Sequence, residues 1–567
     1  MESLIKWKSQ AMNIKKIPSQ SPLLLTILLP LTLLTACGGS SSPTSTTSVP
    51  TQPTVSTEPS WIKDQFQPSA NFVAQCEDPR VGSSPITGET YPDKQGSELL
   101  EKHWQRAFTN ETYLWYKEVI DKDPKNFDLI NYFAQLKTFE VTDSGKDKDQ
   151  FHWLQPTSEV EEYTQLGVSY GYGISFDEQK STSPRKWIVK NITPNTQAFN
   201  AGISRGSRLL EIDDVDFVNS NSDSDIDTIN NALFSDVEGE THTFKFIDNE
   251  GTEYQVELQT AAITDVPLQI AKTIETPQGK TGYLLLNSFY NSTVEKELFD
   301  NFTIFAEQDV NELIVDLRYN GGGYLALSSQ LAYMVAGNTA TAGKVYETTV
   351  YNDKISNEQM PFFTKTLDLR RLIGGESLIQ AGQALPSLNL SRIYVLTTGS
   401  SCSASESFMN SLIGIDIEVI QIGETTCGKP YGFVSEDNCG STYFTVQFKG
   451  ENDAGFGDYA DGLIPVKLPE AGKLAQIQGC PITEDYQHNL GDEQELLLAS
   501  ALYYQTNNDC PEIAQNPAMQ KKTTSSKSIL STADTKLKGK TPLQNAIIRD
   551  VYFNKYRHIK AGGHNDE

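Results

Sequence analysis

VLTTGSSCSASESFMNSL, residues 395–412, passes from a β-branched apolar run through a turn of small hydroxyl residues into a second apolar run. That is the pattern of a buried strand entering a helix through a tight loop. Ser403 and Glu406 fit S-x-x-E, the capping box of a helix start. VDLRYNGGGYLALSSQL at 315–331 repeats the design with glycines in the loop. GYLLLNSF, ELIVDLR, RIYVLTT and EVIQIGE read as buried strands between helical stretches, so residues 263–470 carry an α/β signature.

A serine hydroxyl attacks only if a base takes its proton. The six histidines stand at 103, 152, 242, 488, 558 and 564, and none follows one of these core strands. A lysine does the same work when burial disfavours its ammonium form. Lys429 qualifies: it lies in GETTCGKPYGF (423–433), beyond the strand EVIQIG, among small and apolar neighbours. Residues 423–429 also fit the phosphate-loop pattern G-x-x-x-x-G-K, but Pro430 stands where Ser or Thr must hold magnesium. Asn320-Gly321-Gly322-Gly323 offers a backbone open to close approach, as an oxyanion donor requires.

Upstream, short strands alternate with Gly/Asn/Asp turns over residues 165–260. The run Ala198-x-x-Ala201-Gly202-Ile203-x-x-Gly206-x-x-Leu209-Leu210-x-Ile212 resembles a bacterial PDZ domain. Such modules add an extended C-terminal peptide to a sheet edge and hold its carboxylate on backbone amides. The resemblance places those amides at Tyr172, Gly173 and Ile174. Before it, Leu100, Trp104 and Phe108 recur every four residues in a helical pattern.

The N-terminus is basic through Lys6, Lys8, Lys15 and Lys16, then apolar over LLLTILLPLTLLTA at 23–36. This run is too short for a comfortable span of about 20 residues and reads as a signal peptide. Leu34-Thr35-Ala36-Cys37 resembles a bacterial lipobox, which implies cleavage before Cys37 and lipidation of that cysteine. Gly38, where an aspartate would favour the inner membrane, points to the outer membrane facing the periplasm. Residues 38–60 are a Ser/Thr/Pro tether. The formal charge is −27, and beyond residue 36 there are 42 basic against 72 acidic residues, which argues against nucleic acid as a partner. The tail from 517 is basic, with ten Lys/Arg against four Asp/Glu, and reads as solvated or self-docking. An exported location permits disulfides among the six remaining cysteines. Sequence proximity suggests Cys427 with Cys439 and Cys480 with Cys510. No CxxC or Cys/His cluster suggests a metal site.

DLRYNGGG, TTGSSCSASES and GETTCGKP occur in that order behind the PDZ-like segment. Together they resemble the C-terminal processing (tail-specific) peptidases, a serine–lysine family, over roughly residues 97–500. The resemblance implies an α/β catalytic core of crotonase/ClpP-like ββα units, an inserted PDZ domain, a small helical N-terminal domain and no cofactor. It makes Ser403 the nucleophile and Lys429 the general base, with oxyanion amides at Ala404 and Gly322. Three departures stand out: Cys402 replaces an alanine, the Ser403–Lys429 separation of 26 is one longer than usual, and Phe433 occupies the place of a lysine-orienting glutamine. The expected organisation is a signal peptide (1–36), tether (37–60), helical domain (61–162), PDZ domain (163–262), peptidase core (263–510) and basic tail (511–567). The implied function is a lipid-anchored endopeptidase cutting exported proteins near unstructured C-terminal tails. The rival readings are a non-catalytic peptide-binding lipoprotein on the same fold, and an esterase or transpeptidase using the same dyad.

Overall fold

The structure is a computed structural model and describes residues 58–512 apart from 86–87, 143, 162–167, 236–237, 291–292 and 373–375. The leader, Cys37, nearly all of the tether and all but the first residues of the tail therefore lie outside the described residues. The chain divides into two compact units, Met1–Trp61 and Ile62–Glu567, and every element named below belongs to the second. None of the described helices is long and apolar enough to cross a membrane.

The expected aromatic stripe forms α1 (Glu98–Thr112), capped by Ser97, whose side chain accepts from the Leu100 amide. Trp104 and Phe108 stack at 4.9 Å, and Trp104 meets Tyr443 at 4.8 Å. Behind α1 lies β1 (Trp153–Pro156), which pairs antiparallel with residues 441–444 from the far end of the chain. The helical layer is thus sewn into the core by a strand that sequence patterning did not reveal.

β2 (Ile174–Lys180), β3 (Lys186–Ile192), β4 (Arg208–Ile212), β5 (Thr241–Ile247) and β6 (Glu253–Gln259) form an antiparallel sheet ordered β6-β5-β4-β3-β2. With α2 (Asp223–Leu233) it encloses its own core, including Trp187, Val189, Ile212, Ile229 and Phe246. β2 is one of the two edge strands of this sheet.

The largest sheet has seven strands. They are β7 (Leu268–Thr276), β8 (Gly279–Leu286), β9 (Glu312–Asp316), β10 (Arg392–Thr397), β11 (Glu418–Gly423), β12 (Ile464–Val466) and β13 (Gln476–Pro481). Their order is β7-β8-β9-β10-β11-β13-β12, with only the β7/β8 pair antiparallel. Leu284, Leu285, Leu286, Val315 and Val395 are fully buried, as expected of parallel strands covered on both faces. α3 (Val294–Glu307), α4 (Leu325–Thr341) and α5 (Ala404–Ile413) connect β8 to β11 in turn. The last of the described helices is α6 (Leu496–Asn507). Its cap is Glu495, which accepts from the Leu498 amide at 3.1 Å while also pairing with buried Arg318.

Candidate active site

β9, β10 and β11 lie side by side and parallel, so the loops leaving their C-terminal ends are neighbours in space. These are the glycine loop, the serine loop and the lysine loop. Most hydroxyls of the serine loop are spent on structure. Ser401 Oγ donates to the Leu317 carbonyl at 2.8 Å, Ser405 Oγ to the Asn320 carbonyl at 2.9 Å, and Thr398 Oγ1 to the Arg318 carbonyl. Ser407 Oγ donates to Glu347 Oε2 at 2.7 Å. Between Ser401 and Asn410, Ser403 alone is not buried.

Ser403 stands at φ +56°, ψ −114°, immediately before α5. A non-glycine residue in that region costs on the order of 1–3 kcal/mol and persists only where its surroundings impose it. Here the Glu406 carboxylate does so, accepting the Ser403 amide at 3.0 Å. Strand, strained turn and helix together make a nucleophile elbow, which pushes one hydroxyl out of the backbone.

Glu406 reaches further than a helix cap. It is fully buried and accepts from Thr426 Oγ1 at 2.5 Å, from the Gly428 amide at 2.8 Å and from the Lys429 amide at 2.8 Å. One carboxylate therefore fixes the backbones of both the serine and the lysine loop. Burial raises its pKa, opposed by those four hydrogen bonds.

Lys429 is 4% exposed, and burial lowers its pKa to about 7 against the opposing charges of Glu406 and Asp149. Its Nζ lies 4.9 Å from the Phe151 ring centroid and 4.4 Å from that of Phe433. An amine with that pKa is neutral in about half of the molecules at pH 7, so it can take a proton there.

The glycine loop closes the third side. A Cβ on Gly322 (φ +106°) would fall 2.7 Å from Ser403 Cβ and 3.1 Å from the Ala404 nitrogen, so only glycine admits this approach. Ala404 is the first residue of α5. The Gly322 amide itself donates to Asn320 Oδ1 at 2.9 Å, a contact the sequence did not suggest.

The cysteine pairing departs from expectation. Cys427 is joined to Cys402, and Cys439 to Cys76; Cys480 pairs with Cys510 as the sequence suggested. Cys427 and Cys439 are close in sequence but diverge in space. The first follows β11 beside the serine loop, whereas the second sits in a hairpin that joins β1 in the helical layer. The Cys402–Cys427 bond thus links the residue before Ser403 to the lysine loop. Its sulfurs and the Glu406 carboxylate cluster within 4.8 Å, but sulfurs bonded to each other serve as a brace and not as ligands.

At the PDZ-like sheet, Tyr172 is buried and donates to the Ala232 carbonyl at 2.7 Å, while Gly173 accepts from the Thr193 amide at 2.8 Å. Ile174 opens the edge strand β2. The same module carries Arg205, which donates to Tyr319 Oη at 2.7 Å and to Glu484 Oε1 at 2.6 Å. Tyr319 directly precedes Asn320, so this contact meets the core at the root of the glycine loop. Sequence reasoning missed Arg205, Phe151 and the bridging role of Glu406, because each acts through partners distant in the chain.

Residues 280–436 match the model of peptidase family S41, a stretch that holds all three loops. No curated protein matches the chain. Among solved structures, a candidate S41 protease from Bacteroides fragilis is 20% identical, with a TM-score of 0.52 over 74% of this chain and 98% of its own. A photosystem II D1 C-terminal processing protease is 17% identical, with a TM-score of 0.39 over 65% of this chain and 92% of its own. At such identity the first is a likeness of fold alone. The stretch that carries the three loops is thus similar to peptidase family S41, and that similarity supports a serine peptidase, a hydrolase of peptide bonds.

Proposed function

We propose that Ser403 and Lys429 form the catalytic dyad of an endopeptidase that cuts exported proteins near unstructured C-terminal tails. The observation that carries this reading is the joining of a strained, accessible serine to a buried lysine through one carboxylate and one disulfide. Neutral Lys429 takes the Ser403 proton as Oγ attacks the scissile carbonyl. The tetrahedral oxyanion is held by the Ala404 amide, which points out of a helix start, and by the Gly322 amide once it exchanges Asn320 for the substrate. The intermediate collapses to an acyl-enzyme as the protonated lysine passes its proton to the leaving amine. Water, deprotonated by the same lysine, then releases the acyl group.

The β2 edge, with the backbone at Tyr172, Gly173 and Ile174, receives the substrate's C-terminal strand, and occupation there either delivers the tail or gates the site through Arg205. Lipidation at Cys37 and the tether would hold the peptidase at the bacterial outer membrane, facing the periplasm. The test is cleavage of an unfolded polypeptide with a free apolar C-terminus, beside the same polypeptide amidated at that end. Wild type should prefer the free carboxylate, and Ser403→Ala and Lys429→Ala should cut neither. Equal cleavage of both polypeptides would remove tail recognition, and hydrolysis of small esters without peptide cleavage would favour an esterase.

A further inference from the structure

A base must be held as well as deprotonated, and the side chain of Lys429 is approached by two rings. Phe151 comes from the segment leading into β1 and is 1% exposed; Phe433 is four residues beyond the lysine and half-buried. Neither ring is free to drift. Phe433 is set edge-on against Trp153 and Phe444, each at 5.3 Å, and those two stack on each other at 4.4 Å. Phe151 packs against Tyr431, which is wedged against Trp115 at 4.7 Å. The charged groups facing the amine are Glu406 from α5 and Asp149 from the segment before β1. Asp149 is itself occupied, accepting from Tyr113 Oη at 2.5 Å and from the Phe151 amide at 2.9 Å.

We propose that Phe433, with Phe151, is the positioning group of Lys429, an aromatic clamp that aims the amine and keeps water from it. This rests on Lys429 being the base. Ring faces guide an amine weakly, through their quadrupole, and exclude solvent strongly. An amide oxygen in the same place would accept a full hydrogen bond and favour the ammonium form. The clamp therefore trades holding strength for a base that is already neutral near pH 7. It also draws the helical layer into the catalytic site, since Phe151 and the Trp153 that supports Phe433 both belong to that layer.

The test is the pH dependence of kcat/KM for cleavage of an unfolded polypeptide by the full chain, comparing wild type, Phe433→Gln, Phe433→Leu and Lys429→Ala. In wild type the acidic limb should fall near pH 7. Phe433→Gln should move that limb upward by about one pH unit, lowering activity at pH 7 about five-fold, with recovery at pH 9. Phe433→Leu keeps the apolar wall but loses the ring face, so its limb should not rise and its activity should fall at every pH. If Phe433→Gln leaves the limb in place while Lys429→Ala is inactive, the clamp is overturned and the dyad stands. If Lys429→Ala keeps wild-type activity and limb, the base assignment fails and the clamp falls with it.

Discussion

The serine loop and the lysine loop leave adjacent parallel strands, yet they are held by opposite means. Around Ser403 the backbone is pinned by polar contacts: hydroxyls of Thr398, Ser401 and Ser405 on carbonyls of the glycine loop, and a carboxylate on the serine amide. Around the Lys429 side chain the walls are aromatic. The contrast follows from what each group must do. A nucleophile needs fixed direction and access, which directional hydrogen bonds and backbone strain supply. A lysine base needs to lose its charge, which desolvation supplies here. Glu406 is where the two regimes meet, since it binds the backbone of both loops and leaves the amine to the rings.

The largest effect should come from removing either reacting group. Ser403→Ala or Lys429→Ala should lower kcat by about 10⁴-fold with little change in thermal stability, because dyad members act as a unit. Next is the bridge. Glu406→Ala strands buried donors from Ser403, Thr426, Gly428 and Lys429, and should cost about 3 kcal/mol in denaturant unfolding and about a hundred-fold in kcat. If the serine and lysine loops were independent, stability would fall without that loss of rate. The covalent brace comes third. Cys402→Ala with Cys427→Ala should lower stability by about 3 kcal/mol under oxidising conditions, and activity less than Glu406→Ala does. Unchanged unfolding of the double variant beside wild type would show the brace to be idle. The smallest effect belongs to the contact between modules. Arg205→Ala should reduce cleavage of a tailed protein about five-fold and leave a short tailless peptide unaffected, as a coupling between two sites predicts.

The α/β core, the order of the three loops and the PDZ-like module were legible in the sequence because each rests on local patterning. Continuous apolar runs mark buried parallel strands, and small residues mark the turns that follow them. Ser403, Lys429 and Gly322 were named from the resemblance of those loops to a known family, and the structure brings the three loops to the ends of adjacent parallel strands. What stayed hidden depends on distant parts of the chain meeting. β1 lacked an alternating pattern and is defined by its partner at 441–444. The guess of Cys427 with Cys439 assumed that neighbours in sequence are neighbours in space, which fails where a chain leaves one sheet for another layer. Glu406 was visible as a helix cap, a role any exposed glutamate can fill, but its second set of donors comes from a loop beyond the next strand. The absence of a glutamine at Phe433 looked like a missing part; the ring is itself a contact to the amine.

The most direct measurement is the rate at which a serine-directed phosphonylating probe labels the full chain across pH, with the modified residue located by mass spectrometry. The label should fall on Ser403, at a rate that rises as pH passes through about 7, where Lys429 becomes neutral, and it should be lost in Lys429→Ala. Labelling of another serine, or of Ser403 at the same rate without the lysine, would contradict the dyad.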